Sequence, residues 1–346
     1  MRIADFFNNK KGIYIIAEVS QNHDGSLGQA HAFIDAVAGT GADAIKFQTH
    51  IAEEESTPQE PFRVNFSYCD KTRYDYWKRM EFTHEQWEGL YEHATERGLD
   101  FLSSPFSSAA MEMLDEIGVP AWKFGSGEVF NEVLLKKAID TGKPIILSTG
   151  LSTIEDIDRQ VKYIRSAGNP LLLMECTTAY PSKAEEIPIR LINVYIERYK
   201  CPVGISDHSA TIYPSLAAVS LGARAVEVHV TMSRKMFGPD VKASVTIEEL
   251  AQIAEGTRFI EKMLENDEDK SELSVDKRTL RSIFSKSIYA KRDLKIGETL
   301  DEKTMAIKKP FCAESIAVKD YDKIWGKHIV KDISKNDAIG WESIEK

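Results

Sequence analysis

Short runs of apolar, largely β-branched residues alternate with amphipathic segments over the first three quarters of the chain. The apolar runs have the length of β-strands, and the segments between them show the spacing of amphipathic helices. Strands without a polar face are typical of a parallel sheet that is buried on both faces. The predicted strands span 13–20, 44–48, 101–104, 121–124, 144–148, 170–175, 203–206 and 225–229, and the predicted helices span 26–39, 84–97, 108–117, 131–141, 153–166, 187–199, 213–221 and 247–265.

Eight such strand–helix units favour a closed (β/α)8 TIM barrel, an α/β fold. The same rhythm leaves an open doubly wound sheet as the alternative architecture. Polar residues end or follow most of the predicted strands, and in a barrel of parallel strands these ends meet at one mouth. The residues at these positions are Glu18, Lys46, Gln48, Ser104, Lys123, Ser126, Glu128, Ser148, Thr178, Tyr180, Ser206, His208 and His229.

One connection, residues 51–82, is much longer than the others. It carries the aromatic residues Phe62, Phe66, Tyr68, Tyr74, Tyr76 and Trp77, and this content argues against disorder. Long connections often cover a functional site. A wall over the barrel mouth and a plain packing excursion are both consistent with the sequence.

A charged bridge at 266–270 ends the strand–helix rhythm. We predict a catalytic barrel domain over 1–268, a linker over 269–284 and a small β-rich domain over 285–346. Residues 291–300 and 330–339 share the pattern of an aspartate, an aliphatic residue, a turn and a second aliphatic residue, which indicates two similar halves. A unit of about 60 residues has little core of its own, so we expect it to dock onto another surface.

Composition narrows the class of protein. The chain has 346 residues and a formal net charge of −10, which argues against a nucleic-acid partner because phosphate backbones attract basic surfaces. The apolar runs are shorter than the roughly 20 residues of a membrane span, and the first 12 residues lack the apolar core of a secretion signal. The four cysteines show no Cys-x-x-Cys spacing and fit reduced thiols. We therefore expect a cytoplasmic enzyme without a membrane partner.

Two histidines follow successive predicted strands, His208 and His229. In a barrel their imidazoles would converge, and with oxygen ligands they would suit Mn²⁺, Fe²⁺, Co²⁺ or Zn²⁺. Hydrogen-bonded structural histidines are the alternative. His31, His84 and His93 fall in predicted helices or caps, and we expect them to face solvent or satisfied neighbours.

Lysines inside apolar strands need an anionic partner, and Lys46 and Lys123 are such residues. With the strand-end serines and the turn formed by Gly125, Ser126 and Gly127 they would form a cradle for a phosphate and a carboxylate. Carboxylates for proton transfer are available in Glu18, Glu128 and Asp240. A lysine that snorkels past the rim, a Schiff base and barrel salt bridges remain open.

Eight blocks carry most of these residues: AEVSQNHDGS at 17–26, GADAIKFQT at 41–49, SPF at 104–106, KFGSGE at 123–128, LSTG at 147–150, CTTAYP at 176–181, GISDHS at 204–209 and GPD at 238–240. Together they resemble the sialic acid synthase (N-acetylneuraminate synthase) family of bacterial nonulosonate synthases. The tail from about Ser285 resembles that family's antifreeze-like SAF domain. The likeness covers nearly the whole chain.

The resemblance implies a transferase that condenses phosphoenolpyruvate with an N-acylated amino sugar such as N-acetylmannosamine, giving a nine-carbon 2-keto acid and phosphate. It implies a divalent metal on His208 and His229, Mn²⁺ first, with Mg²⁺ or Co²⁺ as alternatives. It also implies a homodimer whose SAF domain covers the partner's barrel mouth. The implied catalytic residues are Glu18, Lys46, Lys123, Glu128 and Asp240, and the implied substrate-binding residues are Gln48, Ser104, Phe106, Ser126, Ser148, Thr178, Tyr180, Ser206 and Lys309.

Three departures leave the acceptor sugar open. Lys309 stands where the family commonly has arginine, Val228 replaces a basic residue and would remove a cation near the site, and Thr178 replaces an asparagine. N-acetylmannosamine, its 6-phosphate and a deoxy-diacetamido sugar leading to legionaminate are all possible acceptors, with the unphosphorylated sugars first. A metal-dependent barrel aldolase or epimerase, and a non-catalytic glycan-binding protein, are the alternatives from other classes.

Overall fold

A computed structural model of the chain describes residues 2–9, 11–62 and 64–346. The chain divides into two compact units, the first ending at Asn266 and the second beginning at Asp267. Each unit has a hydrophobic core of its own, and each is described by itself.

Eight parallel strands of the first unit form a nearly closed barrel. They pair in the order β3-β2-β1-β8-β7-β6-β5-β4, and β3 and β4, the two ends of this order, are in contact. Because β1 pairs with β8 and the two ends of the strand order also meet, the predicted barrel is confirmed and the open sheet is wrong. The strands are β1 Tyr14–Ser20, β2 Ala44–Thr49, β3 Asp100–Pro105, β4 Trp122–Phe124, β5 Ile145–Ser148, β6 Leu171–Cys176, β7 Val203–Asp207 and β8 Ala225–Thr231, and β9 Val245–Thr246 pairs with β8.

Most helices of the first unit follow a strand, and α1 precedes β1. Several begin at a threonine or serine that accepts a backbone hydrogen bond, as Thr153 and Thr246 do. They are α1 Ile3–Asn8, α2 Leu27–Ala38, α3 Ala52–Glu55, α4 Arg73–Met80, α5 His84–Glu96, α6 Ser108–Ile117, α7 Glu132–Asp140, α8 Ile154–Ser166, α9 Leu191–Tyr199, α10 Tyr213–Ser220 and α11 Ile247–Leu264. Helix α9 begins later than predicted because Ile187 precedes Pro188 and is extended. Over the described residues, none of the helices combines the length and the apolar character needed to cross a membrane.

The barrel interior is apolar at the amino-terminal ends of the strands. This inner layer consists of Tyr14, Ile16, Ala44, Leu102, Ala121, Ile146, Leu172, Met174 and Ala225, together with Ile3 and Phe6 of α1. The sequence-based prediction did not include α1. This helix is held by Asp100, whose Oδ2 accepts from the Ile3 amide and from the Tyr14 hydroxyl, both at 2.6 Å. The outward-facing strand residues pack against the helices in a larger core.

The long connection 51–82, described apart from residue 63, contains α3 and α4. Arg79 pairs with Asp24, in the loop after β1, at 2.6 Å and with Asp70 at 2.8 Å. Gly25 has a φ of +73°, and a Cβ there would lie 2.3 Å from the Arg79 carbonyl oxygen. The ring centroid of Phe66 lies 6.0 Å from that of Phe237, which belongs to the loop after β8. The segment therefore packs on loops at the carboxyl ends of the strands, where the mouth lies.

The second unit is small and contains a two-stranded antiparallel sheet. Its elements are α12 Val275–Phe284, β10 Ser287–Ala290, β11 Met305–Lys308 and α13 Tyr321–Ile324, with β10 and β11 antiparallel. Helix α12 occupies most of the segment predicted as a linker, because Ser274 caps its amino terminus by accepting from the Lys277 amide. The two similar segments meet in an antiparallel bridge between Leu294 and Ile333.

Candidate active site

Charged side chains replace the apolar layer inside the barrel toward the carboxyl ends of the strands. Every second residue of β1 points inward, so Glu18 follows Tyr14 and Ile16 on the inner face. Lys46, its register partner on β2, lies beside it. With Lys123 of β4 and Glu227 of β8, these residues are 1–5 % exposed. Buried charges of this kind are tolerated only in pairs with further hydrogen bonds.

Lys46 and Glu18 form one buried ion pair. Nζ of Lys46 lies 2.6 Å from Oε2 of Glu18 and donates to Oγ of Ser104 at 3.2 Å. Nε2 of Gln48 donates to the other oxygen of the Glu18 carboxylate at 2.8 Å. Residues from the first three strands thus hold this carboxylate and this ammonium in place.

Lys123 and Glu227 form the second pair. Nζ of Lys123 donates to Oγ of Ser148 at 2.8 Å and lies 3.4 Å from Oε1 of Glu227. Oγ of Ser206 donates to the same carboxylate oxygen at 3.2 Å. The predicted serines 104, 148 and 206 therefore all belong to the network around the two lysines.

Burial and pairing shift the protonation of these groups in different directions. Burial raises the pKa of Glu18 to about 7 although Lys46 acts in the opposite sense. Burial acts to lower the pKa of Lys46, but the attraction of Glu18 and Glu227 outweighs it and raises that pKa. Burial lowers the pKa of Lys123, and Glu227 offsets only part of the effect. Lys46 therefore keeps its positive charge more firmly than Lys123 does.

His208 and His229 lie side by side at the mouth. Their ring centroids are 5.1 Å apart, and the ring of Tyr180 lies 4.2 Å from the first and 5.9 Å from the second. Nδ1 of His208 lies 2.9 Å from the Thr177 carbonyl oxygen. Because a carbonyl only accepts, Nδ1 carries the proton and Nε2 keeps its lone pair.

The two histidines suit a divalent metal. Burial, first of all, lowers the pKa of each to about 3, so both imidazoles are neutral, as metal ligands must be. Nδ1 of His229 is buried without a hydrogen-bond partner among the described residues. Within the same residues, no group of three or more His, Cys, Asp or Glu side chains could hold a metal. An ion bound there would have two nitrogen ligands from the described chain and would complete its coordination with water or substrate.

Three further predicted site residues, Asp240, Glu128 and Phe106, lie at different points around the mouth. Oδ2 of Asp240 lies 2.7 Å from Oγ of Ser20, and the Glu128 carboxylate accepts from Asn131 at 2.8 Å. The Phe106 ring stacks on His50 at 4.5 Å.

Gly150 is a crowded position next to Ser126. A Cβ on Gly150 would lie 2.3 Å from Oγ1 of Thr178 and 2.8 Å from Oγ of Ser126, whereas Cβ atoms on Gly125 and Gly127 would meet nothing within 4 Å. The Gly150 amide also donates to Oγ of Ser126 at 3.0 Å. The loops after β4, β5 and β6 therefore meet at a position that only glycine fits.

The structure corrects the expectation for Val228 and places Lys309 outside the barrel unit. Val228 does not replace a cation at the site, because its side chain lies on the outer face of β8, in the core between strands and helices. Lys309 belongs to the second unit, where its Nζ lies 5.0 Å from the centroid of the Phe284 ring.

Sequence reasoning assigned no role to several residues of the network. Glu227 was overlooked although it lies two residues before His229, which places both on the inner face of β8. Gln21 and His50 follow β1 and β2, and they link Gln48 to Glu55 of α3. The period-two spacing of Gln48 and His50 was the available signal.

Known proteins resemble this chain over most of its length. The chain is 32% identical to N,N'-diacetyllegionaminic acid synthase of Campylobacter jejuni over 95% of its own length and 99% of the relative's. It is 31% identical to a pseudaminic acid synthase of the same species, over 96% and 97% of the two chains. The crystal structure of an N-acetylneuraminic acid (sialic acid) synthetase from Leptospira borgpetersenii aligns with a TM-score of 0.69 and 31% identity, covering 78% of this chain and 90% of the other.

Family profiles cover both units. The SAF domain profile matches residues 285–345, and the NeuB family profile matches residues 33–269. That second match includes seven of the eight barrel strands, and on this ground and that of the relatives above the chain belongs to the NeuB family.

Proposed function

We propose that the chain is a nonulosonic acid synthase that condenses phosphoenolpyruvate with N-acetylmannosamine or a related N-acylated amino sugar. The observation that carries the proposal is the pair of buried lysines, Lys46 and Lys123, beside the neighbouring imidazoles of His208 and His229. A phosphate and a carboxylate need two cationic partners. The sugar aldehyde needs a Lewis acid that polarises its oxygen, and a metal ion on the two histidines would supply it. The synthase relatives support the same reaction class.

The reaction makes one carbon–carbon bond and breaks one carbon–oxygen bond. C3 of phosphoenolpyruvate attacks the aldehyde carbon of the open-chain sugar, and the aldehyde oxygen takes up a proton to become a hydroxyl. Water adds at C2, and the bond from C2 to the phosphate oxygen breaks. Phosphate leaves, the water-derived hydroxyl loses its proton, and the C2 ketone of the nine-carbon acid forms.

Residues of the network have distinct tasks in this scheme. Lys46 and Lys123 bind the phosphate and carboxylate of phosphoenolpyruvate through charge-assisted hydrogen bonds, with Ser104 and Ser148 fixing the two ammonium groups. Glu18 orients the water and takes its proton, a task suited to a carboxylate with a pKa of about 7. Glu128, Tyr180 and Asp240 face the sugar.

His208 and His229 would hold the divalent ion, with Mn²⁺ as the first choice. When bound, such an ion supplies Lewis-acid polarisation of an aldehyde oxygen. Thr177 holds the His208 ring in the tautomer that leaves Nε2 available. Because the pKa of each imidazole is about 3, protons compete little with a metal ion for these nitrogens at pH 7.

A legionaminate-type acceptor is the second candidate. The relative at 32% identity carries that name, and Thr178 and Lys309 depart from the residues of the sialic acid synthase pattern. We also propose that the chain forms a homodimer in which the SAF domain of one copy completes the barrel mouth of the other.

A phosphate-release screen tests the function. The purified protein, with Mn²⁺ and phosphoenolpyruvate, is given N-acetylmannosamine, its 6-phosphate or a deoxy-diacetamido sugar, each separately. Phosphate release that requires both phosphoenolpyruvate and one sugar is the expected result, with the nine-carbon acid identified by mass. Consumption or epimerisation of a sugar without release of phosphate would indicate the aldolase or epimerase class. Sugar binding without turnover would indicate a glycan-binding protein.

A further inference from the structure

His50 directly follows β2, is 3 % exposed, and has no task in the scheme above. Its ring lies between those of Trp77 and Phe106, with centroids 4.0 and 4.5 Å away and interplanar angles of 13° and 11°. Nδ1 lies 2.5 Å from Oε1 of Glu55, and Nε2 lies 2.7 Å from Nε2 of Gln21. Packing on both faces and a polar contact at both nitrogens hold this ring in one orientation.

The hydrogen bonds that start at His50 run inward to Glu18. Gln21 donates from Nε2 to Oε1 of Gln48 at 3.0 Å, and Gln48 donates from Nε2 to Oε1 of Glu18 at 2.8 Å. The Glu18 carboxylate can only accept, which determines the direction of the Gln48 amide and then that of Gln21. His50 must therefore accept at Nε2 and donate from Nδ1, and the Glu55 carboxylate is the acceptor that this tautomer requires.

We infer that His50 is a positioning residue which, together with Glu55, holds Gln21 and Gln48 so that the Glu18 carboxylate keeps a single orientation. The inference rests on the proposed function, because the orientation of Glu18 matters for turnover only if Glu18 handles the water. These contacts also connect the long segment 51–82 to the barrel. Glu55, which pairs with His50, belongs to α3, and Trp77, which stacks on His50, belongs to α4.

The expected signature is a loss in kcat at a nearly constant KM for phosphoenolpyruvate. Lys46 and Lys123 keep their own serine partners when His50 changes, so the grip on phosphoenolpyruvate persists. A misdirected carboxylate slows only the step that it serves. Loss of one hydrogen bond in such a chain corresponds to a decrease in kcat of about tenfold.

Two substitutions separate the hydrogen bonds of His50 from its packing. His50→Phe keeps a flat ring between Trp77 and Phe106 but removes both polar contacts. His50→Gln places an amide oxygen near the position of Nε2 and can still accept from Gln21. His84→Gln is the matched control, because His84 is an exposed residue at the start of α5. Thermal unfolding of each variant shows whether it folds.

Kinetics of phosphate release decide the matter in a wild type that turns over. We expect His50→Phe to lose about tenfold in kcat with KM for phosphoenolpyruvate within about twofold, and His50→Gln to retain most of the activity. Gln21→Ala combined with His50→Phe should cost no more than the larger single effect, because both act through one chain. Wild-type kcat in His50→Phe, or an equal loss in His50→Gln, would overturn the inference.

Crystal structures of the wild type and His50→Phe provide a readout without activity. The Gln48–Glu18 contact should be present in the first and displaced in the second, and its persistence in the second would refute the positioning role. A wild type that releases no phosphate with any sugar refutes the proposed function instead.

Discussion

At the scale of single residues, the two buried lysines are the least ordinary feature of the chain. Taking a charge out of water costs several kcal/mol unless a partner compensates for it. Lys46 and Lys123 each have a carboxylate and a serine as partners. The barrel thus maintains positive groups deep in its interior, where a dianionic or trianionic ligand benefits from them.

Lys46→Met and Lys123→Met keep the aliphatic stem and remove the charge. Each should raise the KM for phosphoenolpyruvate at least about tenfold, because a charge-assisted hydrogen bond contributes roughly 1.5–3 kcal/mol. Lys137→Met removes a lysine that pairs with Glu112 at the surface and serves as the control. Initial-rate kinetics measure the effect, and an unchanged KM in both variants would contradict the cradle.

The metal assignment predicts that His208→Ala or His229→Ala abolishes turnover and lowers the bound metal content, measured by atomic emission. The fold should persist, because mouth residues of a barrel contribute little to its packing. His84→Ala is the control. Full activity of a wild type stripped of metal would argue against the assignment.

Glu175 offers a test of buried charge outside the site. It lies on the outward face of β6, and burial together with Asp207 raises its pKa to about 7 from the usual 4.5. The folded chain therefore holds this proton more tightly than the unfolded chain, so the contribution to stability is complete below about pH 4.5 and is lost as the pH rises through about 7.

Glu175→Gln should raise the melting temperature at pH 8 and leave it nearly unchanged at pH 5. The gain in the free energy of unfolding at pH 8 should be at most about 3 kcal/mol, since one pKa unit corresponds to about 1.4 kcal/mol. Glu92→Gln, at an exposed position of α5, is the control. Equal melting temperatures of the Glu175 variant and wild type at pH 8 would show that Glu175 is not buried as a carboxylic acid.

At the scale of elements, the two similar segments of the second unit form reciprocal contacts. Oδ1 of Asp332 accepts from the Ile296 amide at 3.0 Å, and Oδ1 of Asp293 accepts from the Lys335 amide at 2.8 Å. Leu294 and Ile333 exchange backbone hydrogen bonds between the two segments at 2.8 and 3.0 Å. Each copy of the sequence pattern thus caps the turn of the other.

Asp332→Ala should lower the melting temperature of the second unit, because the Ile296 amide loses its acceptor and Lys295 loses its partner. We expect a decrease of roughly 2–6 °C, seen by calorimetry of the full chain. Asp337→Ala is the control, since Asp337 contacts Ala290 through its backbone carbonyl. Equal decreases in the two variants would mean that the side-chain contact contributes nothing specific.

At the scale of the whole molecule, each unit has a core of its own, and the proposed homodimer would bring Lys309 of one copy to the barrel mouth of the other. Lys309 cannot reproduce the fork of an arginine, but it still offers a cation. Lys309→Ala should raise the KM for the sugar more than that for phosphoenolpyruvate, and Lys309→Arg should shift acceptor preference toward N-acetylmannosamine. Lys308→Ala, at the neighbouring position, is the control.

Mixed dimers test whether this group acts on the partner chain. A Glu18→Ala chain has an inactive barrel and an intact second unit, and a Lys309→Ala chain has the reverse. Exchange of subunits should restore activity with the sugar if Lys309 acts across the dimer. Freely exchanged heterodimers without restored activity would rule out that arrangement.

Much of the fold followed from local patterns, and the misses have physical causes. The eight strands were predicted within about two residues because apolar runs end where the chain reaches the polar mouth. Helix α1 was missed because its six residues are too few to show a period, and α12 because none of its residues is buried. The series of hydrogen bonds from His50 to Glu18 was missed because each of them joins side chains on different loops or strands.

The sequence by itself determined the eight strand–helix units, the presence of a second unit after them and the set of polar residues at the strand ends, because periodicity and strand termination are properties of about 5–15 neighbouring residues. The tertiary structure decided that the sheet closes into a barrel. Only the tertiary structure decided that Lys46 pairs with Glu18 and Lys123 with Glu227, and that Val228 faces away from the site. Those outcomes depend on which strands close beside one another and on which face each side chain takes. A buried charge pairs with the opposite charge that lies nearest to it. The distances between the lysine and glutamate side chains are set only when the barrel closes and β1 pairs with β8.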